Sequence, residues 1–153
     1  MNEYAFGDSA LARERLGIVA GTFAVPTRSL LRDLPAGDRR YVLDMGCGPG
    51  YTTALLLDAF PHSFVTGIDS SPAMIDDARV RVPDASFAVG DVTAPVVLPA
   101  HVVYARLLLG HLADQASGLA NWLPRYGPVG WSCAKNPCGT EARTHASPAM
   151  RRR

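Results

Sequence analysis

With 153 residues, 48% hydrophobic and 19% charged, the chain is long enough for one domain with a real core. Its composition is too ordinary for a collagen-like, mucin-like or wholly disordered protein. Fifteen basic side chains against 14 acidic ones leave a net charge of +1, which gives no electrostatic reason to expect nucleic acid.

No apolar run approaches the roughly 20 residues that cross a bilayer, so no membrane is expected. Three cysteines (Cys47, Cys133, Cys138) form no disulfide framework, and the opening Met1-Asn2-Glu3-Tyr4 lacks a basic-then-apolar leader, so a reducing cytoplasmic setting is expected. Residues 9–23 read as an amphipathic helix, because Ala12, Leu16, Val19 and Phe23 share one face and Ser9 or Asp8 can cap it. Pro26 is expected to interrupt it, leaving a short helix over 27–34 that ends at Pro35-Ala36-Gly37. Residues 41–45 (YVLDM) suit a buried parallel strand that stops at a glycine cluster. Residues 51–60 carry Ala54, Leu55, Leu56 and Leu57 and read as a helix closed by Pro61. A second strand is expected over 63–68, ending at Asp69, and Ser71-Pro72 opens a helix reaching about Arg81. Residues 85–89 and 101–104 supply a third and a fourth strand, and a leucine-rich helix is expected from Arg106 to Leu123. This alternation predicts an α/β fold, a Rossmann-like parallel sheet flanked by helices.

The averages hide a seam. Residues 1–132 carry net −3, and residues 133–153 carry net +4 with the only lysine, Lys135. The segment WSCAKNPCGTEARTHASPAMRRR contains no Leu, Ile, Val or Phe, so it is expected to be a disordered tail rather than part of a core. Cys133, Cys138 and His145 supply three possible zinc ligands where a structural site wants four, and Arg151-Arg152-Arg153 reads as a charged chain end. No metal is expected.

Chemistry concentrates in VLDMGCGPG, residues 42–50. Glycines between a strand and a helix let a ligand approach the main chain, and the following helix presents free N–H groups. Asp69, ending the next strand 23 residues beyond Gly46, can accept hydrogen bonds from both ribose hydroxyls of a nucleoside. Asp69 can also serve as the N-cap of the following helix. A Walker A loop is excluded because no Lys-Ser/Thr pair follows. The dinucleotide spacing G-x-G-x-x-G fails too, since position 51 is Tyr, which disfavours a nicotinamide-dependent oxidoreductase. Asp44 would repel a pyrophosphate and attract an ammonium group.

VLDMGCGPG resembles motif I of the class I S-adenosylmethionine-dependent methyltransferases, an acidic residue followed by G-x-G-x-G. GIDSSPAMIDDAR (67–79), FAVGDV (87–92) and VVYARLLLGHLAD (102–114) resemble the family's next three segments, in order and spacing, so the resemblance covers roughly residues 1–125. It implies S-adenosyl-L-methionine as cofactor and a small-molecule methyl acceptor. By the same resemblance Asp44 would face the methionine ammonium, and Gly46, Cys47 and Gly48 would lie under the amino-acid and ribose parts. Asp69 would hold the ribose, Ser70 or Met74 would border the adenine, and Asp91 would bind the adenine amino group with Val92 packed on the ring. Ala105 and Arg106 would approach the methionine tail, and Tyr4 and Arg15 would belong to an N-terminal lid. Cys47 reads as a small buried residue, since no histidine accompanies it. For a hydroxyl acceptor His111 would be the general base, its ordinary pKa lying near neutrality.

The family's sheet has seven strands, and only four are expected here. Residues 125–130 resemble the turn before the fifth strand, but WSCAKNPCGT stands in that strand's place. The resemblance therefore implies a chain truncated or frame-shifted after the fourth strand. The expected organisation is a helical lid segment over 1–39, an incomplete cofactor-binding domain over 40–125 and a tail over 126–153. The fourth strand would then be an open sheet edge, inviting self-association and leaving a non-catalytic, cofactor-binding or association-only product as the alternative function. His101 replaces an acid before that strand, which bears on packing more than on catalysis.

Overall fold

The structure, a computed structural model, describes residues 10–34, 39–95, 100–122 and 130–133. In chain order these form α1 (Ala10–Arg32), β1 (Tyr41–Met45), α2 (Tyr51–Ala59), β2 (Phe64–Asp69), α3 (Pro72–Arg81), β3 (Ser86–Val89) and β4 (Val102–Ala105). A 3₁₀ turn (Leu109–His111), α4 (Gln115–Trp122) and β5 (Gly130–Cys133) follow. The five strands pair in parallel in the order β3-β2-β1-β4-β5, with Val42 beside both Val65 and Val102. This is the parallel α/β sheet that the alternation predicts.

Alternation along the strands builds two cores. Val42, Val65, Val102 and Tyr104 pack with Leu31 of α1, Leu56 of α2 and Phe60. On the opposite face Leu43, Met45, Val103 and Ala105 pack with Val92, Ala100 and Trp122 of α4. Continuous burial of β1 and β4 is what a sheet covered on both faces demands. Trp122 also donates its indole N–H to the Val92 carbonyl at 2.5 Å, and Asn121 donates to the Thr93 carbonyl at 2.9 Å, tying α4 to the turn after β3.

Three elements depart from the sequence reading. Helix α1 runs through Pro26 instead of breaking there. Proline removes the N–H that the Thr22 carbonyl would accept, but both residues are exposed and water can serve that carbonyl. The turns around it bury Ala20, Thr27 and Leu31, and the Thr27 and Tyr104 hydroxyls share a hydrogen bond at 3.4 Å, so packing outweighs the cost. The stretch 106–123 is not one helix. Leu107 takes a left-handed φ of 60°, the 3₁₀ turn follows, and α4 starts afresh because Asp114 caps it. Its Oδ1 accepts the Ser117 N–H at 3.0 Å and its Oδ2 the Ser117 hydroxyl at 2.6 Å.

The third departure is β5. The chain expected to be a tail from residue 126 contributes a strand, Gly130–Cys133, that pairs with β4 from Val102 to Ala105. Branched aliphatics are not required where a neighbouring strand offers an unsatisfied row of main-chain donors and acceptors. Among the described residues the sheet therefore has five strands and not four, and β4 is not its edge. The rest of the proposed tail, with Cys138 and His145, lies outside the described residues, as does Tyr4. His101, read as the first residue of β4, stands just before it. Its N–H bonds the Tyr41 carbonyl at 2.8 Å, its Nδ1 accepts the Tyr41 N–H at 3.2 Å, and the two rings stack at 5.6 Å. That is a packing role. Among the described residues no helix is long and apolar enough to cross a membrane.

Gly50 shows how tightly the first crossover is built. It starts α2 at φ 85°, and a Cβ there would stand 3.2 Å from the Ala78 Cα of α3. Gly50→Ala is expected to lower the unfolding free energy by about 2 kcal/mol or more, because left-handed strain and backbone crowding add. The midpoint of a urea titration followed by circular dichroism measures it.

Candidate functional site

In a parallel sheet of this order the crevice opens at the carboxyl ends of β1 and β4, where successive connections leave to opposite sides. Asp44 lies near the end of β1, Asp69 at the end of β2, and Ala105 and Arg106 at and just beyond the end of β4. Strand pairing thus brings together residues distant in sequence.

The turn after β1 is held by the end of β2. The N–H groups of Gly46 and Cys47 both donate to the Ile68 carbonyl, at 2.8 and 3.1 Å. The Gly48 N–H donates to Asp69 Oδ2 at 2.8 Å, and Asp69 Oδ1 accepts the Ser71 N–H at 3.0 Å. Positive φ at Gly46 (69°) and Gly48 (52°) permits this path. Among the described residues a Cβ on Gly48 would meet only the Leu16 side chain of α1, at 3.8 Å, so the loop surface is open enough for a ligand to lie against it. The N-cap of α3 is Ser71, whose hydroxyl accepts the Met74 N–H at 3.2 Å, so Asp69 shapes the turn and leaves the capping to its neighbour.

Asp44 is 1% exposed, and its Oδ2 accepts the hydroxyls of Thr52 at 2.6 Å and Thr53 at 2.7 Å. Burial pushes its carboxyl up to about 6. The two hydroxyl bonds and the Arg106 charge pull it down, and the Asp69 charge pushes it further up. A buried carboxylate with two hydroxyls on one oxygen keeps Oδ1 for another donor. The sequence reading missed Thr52 and Thr53. Their signal was available, as two threonines in the first turn of a helix that continues with the apolar run Ala54 to Leu57.

Cys47 is buried, its thiol points to the Gly48 carbonyl at 3.6 Å, and burial with the nearby Asp44 and Asp69 charges pushes it far up. It stays a protonated thiol and no nucleophile. Asp91 is exposed and closes a turn: its Oδ1 accepts the Thr93 N–H at 2.8 Å and hydroxyl at 2.7 Å, which holds its carboxyl below the usual range. Val92 packs in the second core beside Trp122. Met74 is fully buried, so of the two residues expected at the adenine only Ser70, exposed, is open to a ligand.

Helix α1 lies over the mouth. Leu16 reaches the loop above Gly48, and Arg13 pairs with Asp77 of α3. The Arg106 guanidinium carbon stands 5.9 Å from the centroid of the Phe23 ring. Arg15 is exposed on this helix, and His111 is exposed on the 3₁₀ turn. Tyr51, read as the misfit to a dinucleotide loop, is fixed by Arg81. That guanidinium lies 4.0 Å from its ring centroid, donates to its hydroxyl at 3.2 Å and to the Pro49 carbonyl at 2.6 Å. No group of three or more His, Cys, Asp or Glu that could hold a metal occurs among the described residues.

Comparison with known proteins gives a consistent result. Residues 42–126 match the family model described as a methyltransferase domain. The chain is 36% identical over 122 residues to a trans-aconitate 2-methyltransferase of Methylobacterium radiotolerans, spanning 78% of this chain and 46% of that protein. The protein of the same name from Escherichia coli K12 is 49% identical over 67 residues, 44% of this chain and 27% of the relative. Among solved structures, a putative methyltransferase in complex with a Haloferax volcanii methyltransferase activator superposes with a TM-score of 0.67 at 25% identity, over 87% of this chain and 61% of that one. The plantazolicin methyltransferase BpumL, solved with SAH, shares the fold at a TM-score of 0.57 and 23% identity, over 74% and 44%. The chain spans less than half the length of the curated relatives it matches.

Proposed function

Since the chain belongs to the methyltransferase-domain family, of the class I S-adenosylmethionine-dependent type, we propose that the crevice binds S-adenosyl-L-methionine and directs its methyl group to a small-molecule acceptor. The observation that carries this reading is the pair of buried carboxylates, Asp44 and Asp69, on either side of a glycine turn at the sheet's switch point. The residues present fit the cofactor. The loop is open above Gly48, Asp44 Oδ1 is the oxygen that neither threonine engages, and Arg106 Nη1 is buried without a partner.

In this reading Asp44 holds the ammonium, and Gly46, Cys47 and Gly48 form the floor. Asp69 holds the ribose hydroxyls. Its Oδ2 accepts the Gly48 N–H and its Oδ1 the Ser71 N–H, and a carboxylate oxygen can accept more than one donor. Asp91 accepts from the adenine amino group with the oxygen that Thr93 leaves, Ser70 lines the rim, and Ala105 and Arg106 border the methionine tail. The segment over 1–39, with Tyr4 and Arg15, forms the lid, and residues 40–125 form the cofactor-binding unit.

The bound cofactor supplies a sulfonium whose methyl carbon is electrophilic and whose thioether is a good leaving group. What remains for the chain is to exclude water and to align the acceptor opposite the sulfur, so orientation supplies most of the acceleration. The curated relatives are named for trans-aconitate, which supports a small carboxylic acid as acceptor here. An ionised carboxylate is already a nucleophile and no proton need be removed. A hydroxyl acceptor would need a base, and His111 is the residue assigned to that step. A reducing cytoplasmic setting fits the buried, protonated Cys47.

Isothermal titration with S-adenosylhomocysteine tests the cofactor assignment. Binding on the order of 10 μM or tighter, with a matching rise in melting temperature, is the expected result. No heat and no thermal shift would sink it. Transfer of a labelled methyl group to trans-aconitate then tests the acceptor.

A further inference from the structure

Thr52 and Thr53, in the first turn of α2, are both buried, and both donate their hydroxyl protons to one atom, Asp44 Oδ2, at 2.6 and 2.7 Å. A helical threonine ordinarily returns its hydroxyl to a carbonyl three or four residues back. Here those carbonyls lie in the glycine turn and are engaged elsewhere. The Pro49 carbonyl accepts from Arg81 at 2.6 Å, the Gly50 carbonyl accepts the Ala54 N–H at 3.1 Å, and the Cys47 thiol points to the Gly48 carbonyl at 3.6 Å. Asp44 is therefore the outlet for both hydroxyl protons. An oxygen that already accepts two O–H donors is a poor place for a proton of its own. When Asp44 is protonated, its proton sits on Oδ1, the oxygen that neither threonine engages.

We propose that Thr52 and Thr53 are positioning residues that confine the Asp44 proton to Oδ1, so that a proton and a ligand's ammonium compete for that one oxygen. The inference rests on the cofactor reading of the crevice and adds what readies its carboxylate. When an ammonium binds, the Oδ1–H bond breaks, the proton leaves to buffer, and the carboxylate accepts an N–H in its place. Hydroxyl donors favour the charged form, so each threonine also lowers the pH at which Oδ1 becomes available, against the burial that raises it. The other groups facing Asp44 are Asp69 at the end of β2, Arg106 after β4 and the neutral thiol of Cys47 in the turn. Helix α2 adds no charge before Asp58, and on α1 Arg13 is paired with Asp77 while Arg15 is exposed.

S-adenosylhomocysteine is titrated into the parent chain, Thr53→Val, Thr53→Ser and the double variant Thr52→Val with Thr53→Val. The titrations run from pH 5.5 to 8.5 in phosphate and in imidazole, with ligand-free melting curves over the same range. The difference in heat between the buffers counts the protons released. The parent is expected to release about half a proton per ligand at pH 6 and almost none at pH 8, as a carboxyl half-ionised at about 6 requires. Thr53→Val keeps the shape without the hydroxyl and moves the fall in affinity upward by about one pH unit. Its affinity is then about five-fold below the parent's at pH 6 and equal to it at pH 8.5, and the double variant moves further. Thr53→Ser restores the parent's profile. In the ligand-free chains the pH range over which stability is lost extends upward in step. A histidine ionising elsewhere would not follow these substitutions. Identical pH profiles for the parent and the folded valine variants overturn the proposal, as does an affinity lost equally at every pH, the mark of a merely structural role. Should the valine variants not fold, the parent decides, and binding at pH 6 without proton release overturns it. A parent that binds no S-adenosylhomocysteine removes the cofactor assignment. The melting curves then decide: an upward move in Thr53→Val keeps the threonines' hold on the carboxyl, and an unmoved curve overturns it.

Discussion

Asp44→Asn is expected to melt higher than the parent chain at pH 7.5 and to bind S-adenosylhomocysteine about 100-fold more weakly. The two effects have one cause. Asp44 is buried against Thr52 and Thr53 in a position that favours its protonated form, with the carboxyl pushed up to about 6 from an ordinary 3.8. An acid whose folded pKa is raised binds its proton more tightly in the folded chain. Stability is therefore highest below the unfolded value near 3.8 and falls as pH rises from there through about 6. Above that window the folded chain carries an ionised Asp44 at a cost of about 3 kcal/mol, an order-of-magnitude figure for so buried a group. An amide in its place keeps an acceptor for the threonine hydroxyls and removes that cost. It also removes the charge that an ammonium group requires. Ligand affinity in the parent should accordingly weaken as pH falls through 6, and the variant should lose that dependence. Melting curves and titrations from pH 5 to 8 measure both. A variant that melts lower than the parent at pH 7.5 and binds as well would contradict the assignment.

Asp69→Ala should damage both fold and binding. It strips the acceptor from two buried N–H groups, those of Gly48 and Ser71, which lie on different turns. Each unsatisfied donor costs about 1–3 kcal/mol, so a total loss of about 2–6 kcal/mol is expected. That is a large share of the 5–15 kcal/mol typical of a domain. Asp69→Asn is the milder comparison, since its single carbonyl oxygen can serve only one of the two donors well. Urea unfolding should rank the parent, then Asn, then Ala, while S-adenosylhomocysteine binding falls to undetectable in Ala. Equal midpoints for the parent and Ala would show that the two turns do not depend on this carboxylate.

Much of this was legible in the sequence, and the reasons differ by element. β1 to β3 were readable because short apolar runs stopped at glycine or aspartate, and β4 as the short β-branched and aromatic run HVVY. The glycine turn and the two carboxylates could be placed because a strand feeding a helix through Gly-x-Gly admits few geometries. Pro26 misled because local propensity competes with burial, and Leu31 and Thr27 tip the balance within α1. The turn at Leu107 was hidden since nothing in LLLG announces a left-handed leucine. β5 escaped because its pairing is made by the main chain, to which composition is blind. Thr52 and Thr53 were overlooked as ordinary helix residues, although hydroxyls one turn after a buried acid are natural partners for it. Arg106 was found by position, but its approach to Phe23, 83 residues away in sequence, is visible only in the fold.

The staple between the two turns also governs how a ligand arrives. Gly46, Cys47 and Gly48 have their main-chain donors engaged by β2 before anything binds, so the loop already holds its final path. An incoming molecule meets a finished surface and need not supply the ordering entropy of a floppy loop. Association should then be limited by diffusion, with the floor contributing no slow phase. The chain's conformational expense falls on synthesis and folding, once, and not on every encounter.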